Sequence, residues 1–342
     1  MNRISCATAL AVAVVAVSGP AARADAPMSL FSAFSDKARS ILNLNYALLA
    51  VCVIVIAVIG VLIGTGLARP RLRFQGGGAG VWPVSRPPGG LRWIYFGLAL
   101  TALTLLGSLV WSMAVIAHVA APRTTPALTI DVTGHQWWWE ARYAATIQSR
   151  QFTTANEIHI PVGLPVHLRL KSADVIHSFW VPALSGKTDL IPGQVNETWI
   201  EAGEPGAYRG QCAEYCGLQH AHMAFSVIAD PPGAFNAWWD AQLRPSPPPT
   251  DGPAVVGQQA FVRRCGACHA VLGTMAGGIY GPDLTHLARR KSLAAGTLPN
   301  TPGHLAAWIA DPQGPKPGNK MPPLALSGPE LVSIQAYLAT LQ

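Results

Sequence analysis

The segment Cys212-Ala-Glu-Tyr-Cys216-Gly-Leu-Gln-His220-Ala-His-Met223 places two thiols, an imidazole and a thioether close together along the chain. Soft ligands of this kind select copper over magnesium, calcium or manganese. A further histidine, His177, lies upstream in His-Ser-Phe-Trp-Val-Pro, where the sequence predicts a strand end. The cysteine pair alone would also suit a structural disulfide outside the cytoplasm. The histidines and the methionine instead favour a centre of two coppers with bridging thiolates.

A second metal-binding motif lies downstream at Cys265-Gly-Ala-Cys268-His269. Cys-x-x-Cys-His is the signature of c-type haem attachment, in which two thioethers hold the porphyrin and the histidine binds the iron. A cysteine pair with this spacing but without the histidine would also suit a redox or zinc site. The adjoining histidine and a later methionine favour covalent haem.

Met321, in Asn-Lys-Met-Pro-Pro, is the predicted distal ligand of the haem iron. It lies far enough along the chain to reach the other face of the porphyrin, whereas Met275 follows His269 too closely to do so easily. His286 and His304 remain alternative axial ligands; otherwise each would be a surface imidazole.

The two motifs use four of the six cysteines, so no disulfide framework is needed. Cys6 lies in the N-terminal leader, and Cys52 lies in an apolar segment where it serves as a small hydrophobic residue. The leader has a charged start at Arg3, an apolar run, and small residues before Asp25. This pattern predicts a signal peptide over residues 1–24.

Two uncharged segments, at about 45–68 and 93–117, are long enough to cross a hydrocarbon core of about 30 Å as helices. Residues 25–122 are therefore predicted to form a membrane hairpin. Its connecting loop contains no acidic residue and five arginines, Arg69, Arg71, Arg73, Arg86 and Arg92. The positive-inside rule puts this loop in the cytoplasm and both metal domains on the periplasmic side of a bacterial plasma membrane. Residues 29–44 are predicted to form a short interfacial helix.

The remaining chain divides into a β-rich and a helical part. Alternating apolar stretches between residues 125 and 242 predict a sandwich or barrel of antiparallel strands, which include Leu128–Val132, Glu157–Ile160, Val166–Leu170 and Glu197–Ile200. Residues 243–252 are a proline-rich linker. Residues 253–342 predict an all-α haem domain with helices at Val256–Phe261, His304–Ala310 and Pro329–Leu341.

The charge of +7 is unevenly distributed. Residues 125–242 carry 6 basic and 11 acidic side chains, whereas residues 253–342 carry 7 basic and 3 acidic ones. Opposite signs favour an encounter of the two domains at close range, because the Debye length is about 8 Å at physiological salt. The basic pI arises from loop arginines and the haem domain, and does not indicate nucleic-acid binding.

Several motifs occur in the order found in one family. They are Gly134-His-Gln-Trp137-Trp-Trp139, Asp174-Val-Ile-His177-Ser, Gly186-Lys-Thr-Asp-Leu-Ile-Pro-Gly193 and the cysteine-rich segment. Over residues 30–242 the chain resembles cytochrome c oxidase subunit II, with a cytochrome c domain fused to its C-terminus. The resemblance implies a two-helix transmembrane hairpin, a cupredoxin-like β domain and an all-α cytochrome c domain.

The resemblance also implies site residues. The ligands of the dinuclear copper centre CuA would be His177, Cys212, the backbone carbonyl of Glu214, Cys216, His220 and Met223. Trp137 and Trp139 would lie on the path by which electrons reach CuA. The Glu214 side chain would help bind magnesium at the contact with the catalytic subunit. Pro282 matches the proline whose carbonyl orients the proximal histidine of small cytochromes c.

By this resemblance, the chain would be the electron-input subunit of a proton-pumping oxidase. Electrons would pass from cytochrome c or a cytochrome bc complex to haem c, then CuA, then a haem-copper catalytic subunit I that reduces oxygen to water. Two alternatives are input to a CuA-containing nitric oxide reductase and a stand-alone electron carrier. One departure is that no acidic residue occurs between Asp36 and Asp131, where many relatives carry a proton-channel glutamate.

Overall fold

The structure, a computed structural model, describes residues 28–68, 90–250 and 252–342. It begins with two long helices, α1 (Asp36–Ala68) and α2 (Gly90–Ala120). Both are apolar and long enough to cross a membrane, and their apolar side chains are largely exposed. This agrees with a membrane hairpin. The predicted signal peptide and most of the arginine-rich loop lie outside the described residues.

The helix predicted over residues 29–44 is found only in part, because residues 36–44 are helical but form the start of α1. The chain before α1 is not helical and packs against the β domain, where Phe34 N donates to Ala183 O at 2.9 Å. The Ser35 hydroxyl accepts a 2.8 Å hydrogen bond from Ala38 N, so it satisfies a free N–H at the start of α1. Of the apolar side chains before this point, Phe34 packs against the β-domain core, whereas Leu30 and Phe31 are exposed.

The hairpin and the β domain are joined by polar contacts, of which the hydrogen bond from Lys37 is buried. The Lys37 ammonium donates to Trp199 O at 2.9 Å and lies 4.8 Å from the centre of the indole. The Trp199 indole N–H in turn donates to Val119 O at 3.0 Å, at the end of α2. Asp36 Oδ2 lies 3.1 Å from His118 Nε2, which links the outer ends of both helices. These contacts fix the β domain on one end of the hairpin.

The β domain is a sandwich of two five-stranded sheets, in the orders β3-β2-β1-β5-β8 and β4-β10-β9-β6-β7. The strands are β1 (Leu128–His135), β2 (Trp138–Ala144), β3 (Phe152–Ala155), β4 (Glu157–Pro161), β5 (Val166–Ser172), β6 (His177–Trp180), β7 (Thr188–Leu190), β8 (Asn196–Ile200), β9 (Gly206–Cys212) and β10 (Ala224–Asp230).

The four predicted strands are confirmed as β1, β4, β5 and β8. The pairs β1–β5 and β4–β10 are parallel, which differs from the predicted antiparallel arrangement. They pair strands that are not joined by a hairpin.

Alternation of apolar and polar residues explains which side of each strand is buried. In β5, Val166, Leu168 and Leu170 are fully buried and the residues between them are partly exposed. In β1, Ile130 and Val132 face the same core. Because successive side chains of a strand point to opposite faces, this pattern closes the sandwich around one apolar interior.

Helix α3 (Pro232–Gln242) follows β10 and leads into the linker. The linker lies along the haem domain, where the Ser246 hydroxyl donates to Thr285 O at 2.8 Å. Three helices form the haem domain: α4 (Gly252–Arg264), α5 (Pro302–Ala310) and α6 (Gly328–Ala339). They confirm the three predicted helices, although α4 is longer than expected. Ser327 and Glu330 form a capping box that fixes the start of α6.

Candidate copper and haem sites

The predicted copper ligands meet at one end of the sandwich. Cys212 ends β9 and His177 begins β6, and these two strands pair through Phe179 opposite Cys212. The loop after β9 turns back so that Met223 directly precedes β10. Strand pairing therefore brings together residues that lie far apart in the sequence.

Donor atoms in this group lie 3.2–3.9 Å apart. Cys212 Sγ lies 3.8 Å from Cys216 Sγ, 3.9 Å from His177 Nδ1 and 3.2 Å from Glu214 O. Cys216 Sγ lies 3.6 Å from His220 Nδ1 and 3.8 Å from Met223 Sδ. Each sulfur thus has its own imidazole and one further donor.

This arrangement fits a pair of metal ions. Donors that share a first-row metal ion at about 2.0–2.3 Å lie roughly 3–4 Å apart. The hydrogen bond with Cys216 lowers the pKa of the Cys212 thiol against the opposing effect of burial, which favours a thiolate at this position. Two neighbouring sulfurs, each close to its own imidazole, suit two coppers better than one tetrahedral ion.

Asp174, a residue that the sequence analysis did not assign to the site, orients the histidine ligand. Its Oδ1 accepts a 2.8 Å hydrogen bond from His177 Nε2, which leaves Nδ1 for metal. Burial alone would raise the pKa of Asp174, but hydrogen bonds from His177, Gln136 N, Lys320 and Val175 N hold it well below its usual range. The carboxylate is therefore charged and fixes the imidazole tautomer.

The carbonyl of Cys216 accepts two hydrogen bonds, each 2.9 Å long, from the Trp137 indole and the Gln136 amide. Trp137 thus bonds directly to the backbone of a predicted copper ligand. Trp139 lies on the interior side of the site, where it is fully buried and contacts His177 edge-on. Its indole donates to Met223 O at 3.4 Å. The two tryptophans therefore approach the copper site from different sides.

The Glu214 carboxylate pairs with a lysine at the surface. Its Oε2 lies 3.7 Å from Lys187 Nζ, and both side chains are about half exposed. A carboxylate at the surface next to the copper loop suits an interfacial cation. Its role in magnesium binding stays a prediction.

The haem-attachment motif follows directly after α4. His269 Nδ1 donates to Pro282 O at 2.8 Å, which leaves Nε2 for iron. Burial lowers the pKa of His269, so the imidazole is neutral, as an iron ligand must be. A Cβ on Gly281 would lie 2.6 Å from the His269 ring, so glycine is needed there for the close approach.

A cavity of about 630 Å³ lies over this motif. Its lining includes Cys265, Cys268, His269, Pro282 and Met321, so the predicted haem ligands surround one space. The size falls within the usual range for cofactor pockets, about 300–1,000 Å³, and the lining is largely apolar. The residues present therefore fit a haem group.

The alternative axial ligands lie elsewhere. Met275 is 89 % exposed and does not line the cavity. His286 is buried and its Nδ1 donates to Gln342 O at 2.7 Å. His304 is exposed and bonds to Thr301 at the start of α5. Their positions support Met321 as the distal ligand.

The copper domain closes part of the haem cavity. Trp137 and Trp138 both line it, as does His135, whose ring stacks on Trp138 with the centroids 4.2 Å apart. Sequence reasoning did not assign Trp138 or His135 to the site. The longer motif Gly134-His-Gln-Trp-Trp-Trp139 contains both, but their role at the haem cavity depends on where the haem domain docks.

Comparison with known proteins agrees with this arrangement. Residues 144–229 match the model of the cytochrome c oxidase subunit II periplasmic domain, and residues 254–342 match that of cytochrome c. The chain therefore contains a region similar to the periplasmic domain of cytochrome c oxidase subunit II, followed by a region similar to cytochrome c. These families imply copper and haem c as cofactors.

Among relatives, cytochrome c oxidase subunit 2 of Alkalihalophilus pseudofirmus is 43 % identical over 215 residues, which cover 62 % of this chain and 61 % of that protein. The same subunit of Bacillus sp. strain PS3 is 34 % identical over 58 % of this chain and 57 % of its own length. The chain thus spans about three fifths of these relatives. The periplasmic domain of Bradyrhizobium japonicum oxidase subunit II is 33 % identical over 35 % of this chain and 95 % of that chain, with a TM-score of 0.33.

Proposed function

We propose that this chain is the electron-input subunit of a haem-copper terminal oxidase and passes electrons from haem c to CuA. The observation that carries the proposal is the position of Trp137, which lines the haem cavity and bonds to the Cys216 carbonyl. One side chain thus contacts both predicted redox sites. A catalytic subunit I would then take electrons from CuA and reduce oxygen to water.

The protein's own residues would hold and tune the two centres. When bound, haem iron and the copper pair each take up and release single electrons. Cys265 and Cys268 would tether the porphyrin, while His269 and Met321 would bind the iron. His177, Cys212, the Glu214 carbonyl, Cys216, His220 and Met223 would hold CuA. Asp174 keeps the His177 ring in place through its 2.8 Å hydrogen bond.

Location and partners follow from the same proposal. The two apolar helices would anchor the chain in a bacterial plasma membrane, with both metal domains on the periplasmic side. The donor would be cytochrome c or a cytochrome bc complex. The relatives are named as cytochrome c oxidases, which favours oxygen over nitric oxide as the final acceptor.

The order of transfer can be tested by stopped-flow spectroscopy on the purified oxidase complex. Haem c should be reduced first and CuA second. The transfer from haem c to CuA should proceed at a rate independent of protein concentration, because both sites belong to one chain. Removing the chain from Gly252 onward should slow oxidation of the natural donor. An artificial reductant should still feed CuA in that variant. Reduction of CuA before haem c would contradict this order of transfer. An unchanged rate of donor oxidation after the truncation would also contradict it.

Metal analysis of the purified chain, loaded with copper and haem and free of the catalytic subunit, provides a separate test. We expect two coppers and one covalent haem per chain, together with the mixed-valence electron paramagnetic resonance signal of a copper pair. A single copper without that signal would refute the CuA assignment.

A further inference from the structure

The side chain of Lys316 extends from the haem domain to the copper domain. It lies in the loop between α5 and α6 and is only 3 % exposed. Its ammonium donates three hydrogen bonds to backbone carbonyls: to Trp137 O at 2.7 Å, His222 O at 2.8 Å and Ala294 O at 2.9 Å. Two of these acceptors belong to the copper domain and one to the haem domain.

The three carbonyls match the hydrogen-bonding capacity of the side chain, since a lysine ammonium has three N–H donors and no acceptor. Burial lowers the pKa of Lys316 to about 7, opposed by the charge of Cys216. The three acceptors favour the charged form and offset part of the lost hydration. If the domains separated, the ammonium would lose two of its three protein partners. The contact therefore favours the docked arrangement.

The acceptors also lie next to the proposed electron path. Trp137 lines the haem cavity and its indole bonds to Cys216 O, while His222 directly precedes the ligand Met223. Lys316 therefore holds both the tryptophan and the end of the copper loop. A change in its position would move the tryptophan relative to the haem cavity.

Further contacts surround this lysine. The Gln219 amide donates to Pro317 O at 2.7 Å, and Lys320 Nζ lies 2.9 Å from Asp174 Oδ2. Ala224 N donates to Ala295 O at 3.0 Å. Each of these contacts joins the two domains at the copper end of the sandwich. The domains thus meet through a continuous polar interface and not only through the linker.

We propose that Lys316 is a positioning residue that locks the haem domain onto the copper domain, so that electrons cross at one fixed contact through Trp137. The proposal rests on the proposed haem-to-CuA transfer and adds to it how the two domains are held. A tethered haem domain would first have to find its docking position, and diffusion through solvent would then limit transfer. A locked domain needs no such search.

The test uses the full-length chain carrying both cofactors. Lys316→Met keeps much of the side-chain length but removes the three donors. Lys291→Met is the matched control, because it removes one positive charge from an exposed side chain of the same domain. Copper and haem spectra are recorded first, to confirm that both sites are intact.

Pulsed electron paramagnetic resonance then measures the distance between the oxidised copper pair and the ferric haem. We expect one narrow distance in the wild type and in Lys291→Met, and a broadened distribution in Lys316→Met. The rate of flash-induced electron transfer from haem to copper should be insensitive to solvent viscosity in the wild type and in Lys291→Met. In Lys316→Met it should slow by on the order of ten-fold and become viscosity-dependent.

A narrow, unchanged distance in Lys316→Met, or a wild-type rate that already falls with viscosity, would overturn the lock. If Lys316→Met loses its copper or haem spectrum, the copper-to-haem distance in the wild type still tests the proposal. A broad distance distribution in the wild type would refute a locked domain. Failure of the proposed function is distinguishable: wild-type protein would then show no haem-to-copper transfer, whatever the width of the distance distribution.

Discussion

The Trp137 indole N–H donates a 2.9 Å hydrogen bond to the carbonyl of Cys216. The same carbonyl accepts a hydrogen bond from Gln136, so the residue before the tryptophan reinforces the contact. Because Trp137 also lines the haem cavity, it connects the wall of the haem site to the backbone of the copper loop. A mutation of Trp137 should therefore affect transfer between the sites more than it affects either site alone.

Trp137→Phe should slow haem-to-copper electron transfer by on the order of ten-fold while both metals remain bound. The smaller ring retains part of the packing but cannot donate to Cys216 O, which costs about 1 kcal/mol of stability. Flash photolysis measures the rate, and absorption spectra report on the metals. Trp238→Phe, which removes an indole stacked on His159 in the same domain, should transfer electrons at the wild-type rate. Equal rates in all three proteins would exclude a role for the Trp137 indole.

The separate sites could be predicted from the sequence because their ligands cluster in short motifs. The copper loop and the haem-attachment segment each hold most of their donors in one stretch, and the structure brings His177 and Met321 to them. The four predicted strands and three predicted helices were also found, since each has a clear apolar period. The parallel strand pairs were missed because alternation within a strand does not reveal its neighbour.

The contacts between the domains could not be predicted. Lys316 and Lys320 are ordinary polar residues in the sequence, and nothing near them shows that one is buried and the other pairs with Asp174. Their roles depend on how two separately folded units meet. The late start of the helix predicted over residues 29–44 has the same origin, because Phe34 packs against, and its backbone bonds to, a β domain that lies much later in the chain.

Asp174→Asn should weaken copper binding by about 10–100-fold, the usual effect of losing a residue that orients a metal ligand. The amide can accept the hydrogen bond from His177 but carries no charge to increase the basicity of the ring. Copper retention during titration with a chelator measures the effect. Asp240→Asn removes a carboxylate that pairs with Arg150 at the surface and should retain copper like the wild type. Equal retention by Asp174→Asn would show that the carboxylate does not support the ligand.

The pH dependence of stability tests the environment of His135. Burial lowers the pKa of His135 to about 4, from about 6.5 in an unfolded chain. The unfolded state therefore binds the extra proton between pH 6.5 and 4, so this histidine should destabilise the fold as pH falls through that window. Between pH 7 and 5 its contribution should be about 2 kcal/mol.

His135→Gln should unfold with a smaller pH dependence than the wild type, as measured by thermal denaturation at both pH values. Identical slopes would mean that the imidazole titrates normally. Copper loss at low pH affects both proteins, so only the difference between the slopes is used.

Met321→Leu tests the distal haem ligand. The thioether bonds at Cys265 and Cys268 do not depend on this side chain, so haem should stay attached. Loss of the sulfur should abolish the weak thioether-to-iron charge-transfer band and lower the haem potential, because methionine ligation raises it. Met275→Leu is the matched control, since Met275 is 89 % exposed and lies outside the cavity lining, and it should keep the band and the potential. The absorption spectrum of the oxidised protein and a redox titration provide the two measurements. Persistence of the band in Met321→Leu together with its loss in Met275→Leu would reassign the ligand to Met275, against the positions of both side chains.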